Sequence, residues 1–98
     1  MSVHEEVKLK VDQYRGKIIQ FMLDIVAIPS MDSQIGDVGN RIAEEMRNLG
    51  YDEVRFDVMG NIFGRIGTGE KTIIFDSHID TVGIGDPNAW EWDPFTGK

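Results

Sequence analysis

The sequence predicts an α/β fold, and three observations predict it. Apolar residues recur at helical spacing through the first half of the chain. The spacing then switches to the two-residue alternation of strands, and the last strand candidate is apolar on both faces. The order is helix, helix, strand, strand, strand, loop. Such a sheet ends just after its central strand, so residues 1–98 are expected to be the N-terminal portion of a longer three-layer α/β/α domain.

The spacing predicts a first helix over about residues 4–27, with Val7, Val11, Tyr14, Ile18, Met22 and Ile25 on one stripe. Gly16 weakens it by roughly 1 kcal/mol relative to Ala. Pro29 stops it, because the residue before a proline avoids the helical region. His4 falls in its charged first turn and is expected to be solvent-exposed. "SMDSQIGD" reads as a loop. A second helix over about 37–49 carries Val38, Ile42, Met46 and Leu49, with Asp37 as N-cap and Gly50 as C-terminal stop.

"EVRFDV" alternates as a half-buried strand does, "MGN" punctuates, and "NIFGRI" is a second strand. "GTGEK" is a tight turn and "TIIFDS" a third strand, buried on both faces. "GRIGTGEKT" is not a phosphate-binding loop: Glu70 separates the second glycine from the lysine, and a strand rather than a helix follows. "GIGDPNAWEWDPFTGK" has no periodicity and reads as a loop. Trp90, Trp92 and Phe95 would pack it onto the sheet or reach a ligand; their large apolar area favours packing.

A chain of 98 residues is one small domain or a piece of a larger one. Its net charge of −7 argues against a nucleic-acid or anionic-membrane partner, which needs a basic footprint. With no cysteine there is no disulfide framework and no thiolate site, so any metal must be held by His, Asp or Glu. No apolar run approaches the roughly 18–20 residues that span a bilayer. The N-terminus lacks the apolar core of a signal peptide, and a soluble cytoplasmic protein is the expectation.

The chemistry concentrates in "FDSHIDTVGIGD". Residues two apart on a strand share a face, so Asp76, His78 and Asp80 would line one rim at the end of the third strand. Ligands of open α/β sheets bind at that end. A neutral imidazole is a good zinc ligand, and its other ring nitrogen usually donates to a carboxylate that fixes the tautomer. The alternative is a lone histidine at a strand end with Asp80 opening a turn. Spacing by itself favours that alternative, since catalytic zinc commonly takes three protein ligands.

"TIIFDSHIDTV" resembles the first metal motif of the aminoacylase/carboxypeptidase family of di-zinc metallopeptidases, which includes acetylornithine deacetylase and succinyl-diaminopimelate desuccinylase. Ser77, His78, Asp80 and Val82 match the motif. "IVAIPS" is similar to the family's L-x-x-I-P-S, "MGNIFGRI" to its x-x-G-N-x-x-A, and "WEWDPFTGK" to its W-x-x-D-P-F. These follow in the family's order over almost the whole chain. Within the family, the pattern is most similar to hydrolases linked to selenium metabolism.

The resemblance implies a zinc-peptidase-like fold with His78 as a metal ligand and Asp80 as the catalytic residue that orients it. It implies two Zn2+ per complete site, with Co2+ or Mn2+ also accepted by such nitrogen and oxygen donors. The reaction implied is hydrolysis of a peptide or N-acyl amide bond, with a small peptide or N-acyl amino acid as substrate. The bridging aspartate, the glutamate base, the remaining ligands and a dimerisation domain would lie beyond Lys98, and the longer parent would be a homodimer. Asp76 matches no invariant family position. Two other expectations stand beside this: a catalytically inactive fragment or non-catalytic α/β interaction module, and a chain that self-associates through exposed apolar faces.

Overall fold

The computed structural model describes residues 1–31 and 33–98. Asp32, in the predicted 30–37 loop, lies outside the described residues. The architecture is mixed α/β: helices α1 (Val3–Val26) and α2 (Gly36–Asn48), then strands β1 (Glu53–Phe56) and β2 (Ile62–Arg65) paired as an antiparallel hairpin. A short 3-10 turn (Pro87–Ala89) lies in the C-terminal loop.

Helix α1 starts at a capping box that periodicity did not reveal. The Ser2 hydroxyl accepts the Glu5 N–H, and the Glu5 carboxylate accepts the Ser2 N–H at 3.0 Å, satisfying donors the helix leaves free. His4 is exposed in the first turn, as expected. The helix ends at Val26, three residues ahead of Pro29.

The predicted stripe of α1 is not a core face here: Val7, Val11, Tyr14, Ile18 and Met22 are exposed, and no residue of α1 is fully buried. Length explains this. At 1.5 Å per residue α1 is about 36 Å long and α2 about 20 Å, so α2 cannot cover it. The two meet at the C-terminal end of α1. There Arg41 pairs with Asp24 at 2.8 Å and lies 5.1 Å from the Phe21 ring centre. Gln20 also donates to Asp24. These bonds hold the Asp24 carboxyl below its ordinary pKa, the Arg41 bond first and the Gln20 bond second.

Helix α2 is the centre of the packing, touching α1 on one side and the hairpin on the other. Val38 and Ala43 are its buried apolar side chains, and Ile42 and Met46 are half-buried. Leu49, expected on the same stripe, is exposed at the C-cap. The N-cap is Ile35, without a side-chain bond; Asp37 sits inside the first turn. That corrects the expected cap by two residues and leaves Asp37 complementing the helix dipole. Gly50 does end the helix. Its φ of +82°, with Gly50 N–H on Arg47 O and Tyr51 N–H on Met46 O, forms a Schellman motif.

In the hairpin Glu53 faces Arg65, Val54 faces Gly64, Arg55 faces Phe63 and Phe56 faces Ile62. The alternation read from sequence is realised. Glu53 pairs with both Arg55 (3.1 Å) and Arg65 (3.3 Å), and Arg55 stacks 4.2 Å from the Phe63 centroid, all on the outer face. Val54 and Ile62 are half-buried on the other face, and Phe56 and Ile62 come close to Gly39 of α2. The Asp57 carboxylate ties the connection by accepting from Met59 N–H, Asn61 N–H and Asn61 Nδ2.

The third predicted strand does not form. Residues 72–80 have no ladder partner among the described residues, and Ile73, Ile74 and Phe75 are exposed, Phe75 to 94%. Backbone groups of a strand need a neighbour to bond, and an all-apolar segment needs cover on both faces. Neither is present in the described chain. "GTGEK" is accordingly a bend after β2 rather than a turn joining paired strands, and no helix follows it.

Candidate functional site

The segment bearing His78 comes down from the exposed 72–77 stretch and meets the rest of the molecule at Thr81. Thr81 N–H donates to Ser30 O at 3.0 Å, the two hydroxyls lie 3.0 Å apart, and Met31 and Thr81 form an isolated parallel bridge. The loop after α1 thus lies against the residues that follow His78.

His78 and Asp80 come together. His78 Nδ1 lies 3.0 Å from the Asp80 carbonyl oxygen and 3.3 Å from Asp80 Oδ1. For both oxygens to be partners, Nδ1 must carry the proton and donate; the neutral ring then keeps its lone pair on Nε2. Both side chains are exposed, His78 to 83% and Asp80 to 59%, so water competes with this contact. Asp76 is exposed and takes no part in these hydrogen bonds.

The expected rim of three polar side chains is therefore realised as a pair. Among the described residues no group of three or more His, Cys, Asp or Glu is disposed to hold a metal ion. One imidazole nitrogen beside one carboxylate does not make a zinc site, which needs about three protein donors for catalysis. The donor set among the described residues does not fit a complete metal centre.

The C-terminal loop folds on itself. Trp90 Nε1 donates to Ile84 O at 2.8 Å, Asp86 caps the 3-10 turn by accepting the Asn88 N–H, and Asp93 accepts the Phe95 N–H. Trp90 and Trp92 stay partly exposed, and Lys98 lies 5.8 Å from the Trp92 ring centre. Trp90 thus serves its own loop rather than the sheet. Periodicity gave no sign of Ser30 and Thr81, although both sit inside the quoted "IPS" and "HIDT" stretches. No described helix is long and apolar enough to cross a membrane.

Comparison with known proteins finds partial likeness to named enzymes and to a protein of unassigned role. The chain is 35% identical over 79 residues to a succinyl-diaminopimelate desuccinylase of Cereibacter sphaeroides, covering 76% of this chain and 21% of that one. It is 29% identical over 83 residues to the desuccinylase of Acinetobacter baylyi, covering 83% and 22%. It is also 44% identical over 88 residues to a protein of Escherichia coli K12 named "Uncharacterized protein YgeY", covering 90% of this chain and 22% of YgeY. The chain spans about a fifth of the length of the curated relatives it matches. No family model matches it. No solved structure matches it.

Proposed function

We propose that this chain is the N-terminal segment of the catalytic domain of a metal-dependent hydrolase of peptide or N-acyl amide bonds, of the aminoacylase/carboxypeptidase type. His78 supplies one zinc ligand through Nε2, and Asp80 holds the ring. The observation that carries the reading is the contact of His78 Nδ1 with both oxygens of Asp80, which leaves Nε2 as the free donor. The likeness to proteins named succinyl-diaminopimelate desuccinylase supports an N-acyl amide as the bond attacked. When bound, the metal supplies an activated water and polarises the scissile carbonyl. The donors among the described residues do not complete such a centre; the part proposed for them is to hold and orient one imidazole.

Zn2+, Co2+ or Mn2+ in the site, a homodimeric parent and a cytoplasmic location belong to the same proposal. The isolated chain is then a non-catalytic α/β piece, a reading favoured by the lack of a third donor among the described residues and by the exposed 72–77 segment.

The test joins this sequence to its adjacent coding sequence. The continuous protein should hydrolyse N-acyl amino acids, and His78→Ala should remove both activity and one equivalent of bound metal. Full metal content and turnover in that variant would refute the assignment. Adjacent coding sequence without carboxylate ligands would do the same. Zinc titration of the isolated chain should show weak binding that His78→Ala abolishes.

A further inference from the structure

We infer that Ser30 and Thr81 form a clasp that positions the imidazole of His78, acting through the peptide plane between Asp80 and Thr81. The inference rests on the reading of His78 and Asp80 given above and adds positioning residues to it.

The Asp80–Thr81 peptide carries two groups on one rigid plane. Its carbonyl oxygen faces His78 Nδ1 at 3.0 Å. Its N–H donates to Ser30 O at 3.0 Å. A trans peptide is planar, with a rotation barrier near ~20 kcal/mol, so fixing the direction of the N–H fixes the direction of the C=O opposite. Ser30 therefore sets where the acceptor of the histidine proton points.

The hydroxyl pair reinforces this. Ser30 is 1% exposed and is the buried polar side chain of the described core. Its Oγ lies 3.0 Å from Thr81 Oγ1, across 51 positions of sequence. The Met31–Thr81 bridge continues the same alignment.

Among the described residues, the hydrogen bonds linking residues 72–82 to the helical layer are those between Thr81 and Ser30. The stretch before His78 is exposed, with Ile73, Ile74 and Phe75 uncovered. Without them, no hydrogen bond among the described residues would tie the His78 segment to the helices. A hydrogen bond from the Asp80–Thr81 N–H also polarises that amide and strengthens its carbonyl as an acceptor.

The experiment uses the whole 98-residue chain, whose two histidines make His4 an internal control. Two quantities are read: hydrogen exchange of the Thr81 amide, and the Nδ1–H to Nε2–H tautomer ratio of each imidazole. The ratio comes from nitrogen-15 spectra in alkaline buffer, where histidine side chains are neutral. Thr81 is exposed, so substitution there leaves the packing around α2 intact.

Thr81→Val should speed Thr81 amide exchange and lower the Nδ1–H to Nε2–H ratio at His78, by at most roughly tenfold, the upper worth of the one hydrogen bond removed. Thr81→Ser, which keeps the hydroxyl, should restore both. His4 should not respond to either. Ser30→Ala should reproduce the effect of Thr81→Val from the other side.

Two results overturn the clasp alone: a wild-type Thr81 amide that exchanges as freely as those of residues 73–75, or a Thr81→Val chain that loosens at Thr81 while His78 keeps its ratio. A wild-type His78 with the tautomer ratio of His4 would show instead that the Asp80 contact is absent. The reading of the site then fails together with the clasp.

Discussion

Gly64→Ala tests how tightly the hairpin is fitted under the end of α2. Gly64 lies in β2 opposite Val54. A Cβ there would lie 2.7 Å from Met46 Sδ, 2.7 Å from Tyr51 Cδ2 and 2.8 Å from Tyr51 Cε2. Carbon pairs settle at about 3.5–4.0 Å, so the added methyl overlaps its neighbours by roughly 0.8 Å or more. The thioether of Met46 can swing aside. Tyr51 yields less easily, because two atoms of its rigid ring would be overlapped at once.

Overpacking of this kind costs about 1–3 kcal/mol. The lost freedom of glycine in the unfolded chain returns about 0.4–1 kcal/mol. A net loss near ~1.5 kcal/mol should lower Tm by roughly 6–12 °C in a domain of this size. Thermal unfolding followed by far-ultraviolet circular dichroism measures it. In a Tyr51→Ala background the same substitution should cost much less, since only the flexible Met46 thioether remains to move; the cycle isolates the Tyr51 contact. A Gly64→Ala chain as stable as the wild type, or an equal loss in both backgrounds, would refute the reasoning.

Three further outcomes are expected. Gly50→Ala places a side chain at φ +82° and should destabilise the chain by about 1–2 kcal/mol, read as a lower urea midpoint. Gly16→Ala, with nothing within 4 Å of the new methyl, should raise helicity and stabilise α1 by about 0.8–1 kcal/mol. Asp57 is held below its ordinary value of 3.8, first by the Asn61 side chain and then by backbone donors. A depressed folded pKa stabilises above the unfolded value, and that share is lost as pH falls through the folded one. Urea midpoints should therefore drop below about pH 4, and Asp57→Ala should flatten that acid limb while lowering stability at neutral pH.

The two helices and the first hairpin were legible because each is decided within a few neighbouring residues. Helices where the helical spacing lies, Gly50 as a stop, alternation in "EVRF" and the turn at "MGN" all appear in the structure, although the stripe of α1 stays exposed. The caps were less legible: Ser2 and Glu5 form a box that the stripe did not announce, and Ile35 rather than Asp37 begins α2. Spacing put His78 and Asp80 on one side but favoured a lone histidine; only the resemblance singled the pair out, and their contact is a short-range one.

What the tertiary structure decided is everything that depends on distant partners. Composition can mark Val7, Ile18 or Phe75 as apolar, but burial needs a surface to cover them, and α2 is too short to cover α1. "TIIF" has the makeup of a central strand, yet strand bonds close only against a neighbour, and the described residues offer none. The opposite case is Ser30 and Thr81, two small polar residues without a periodic signal. They meet across the molecule because the loop after α1 and the segment after His78 lie side by side. Sequence by itself determined which residues favour helix, strand and turn. The meeting of separated segments determined which of those tendencies were satisfied, because hydrogen bonds and burial are properties of pairs.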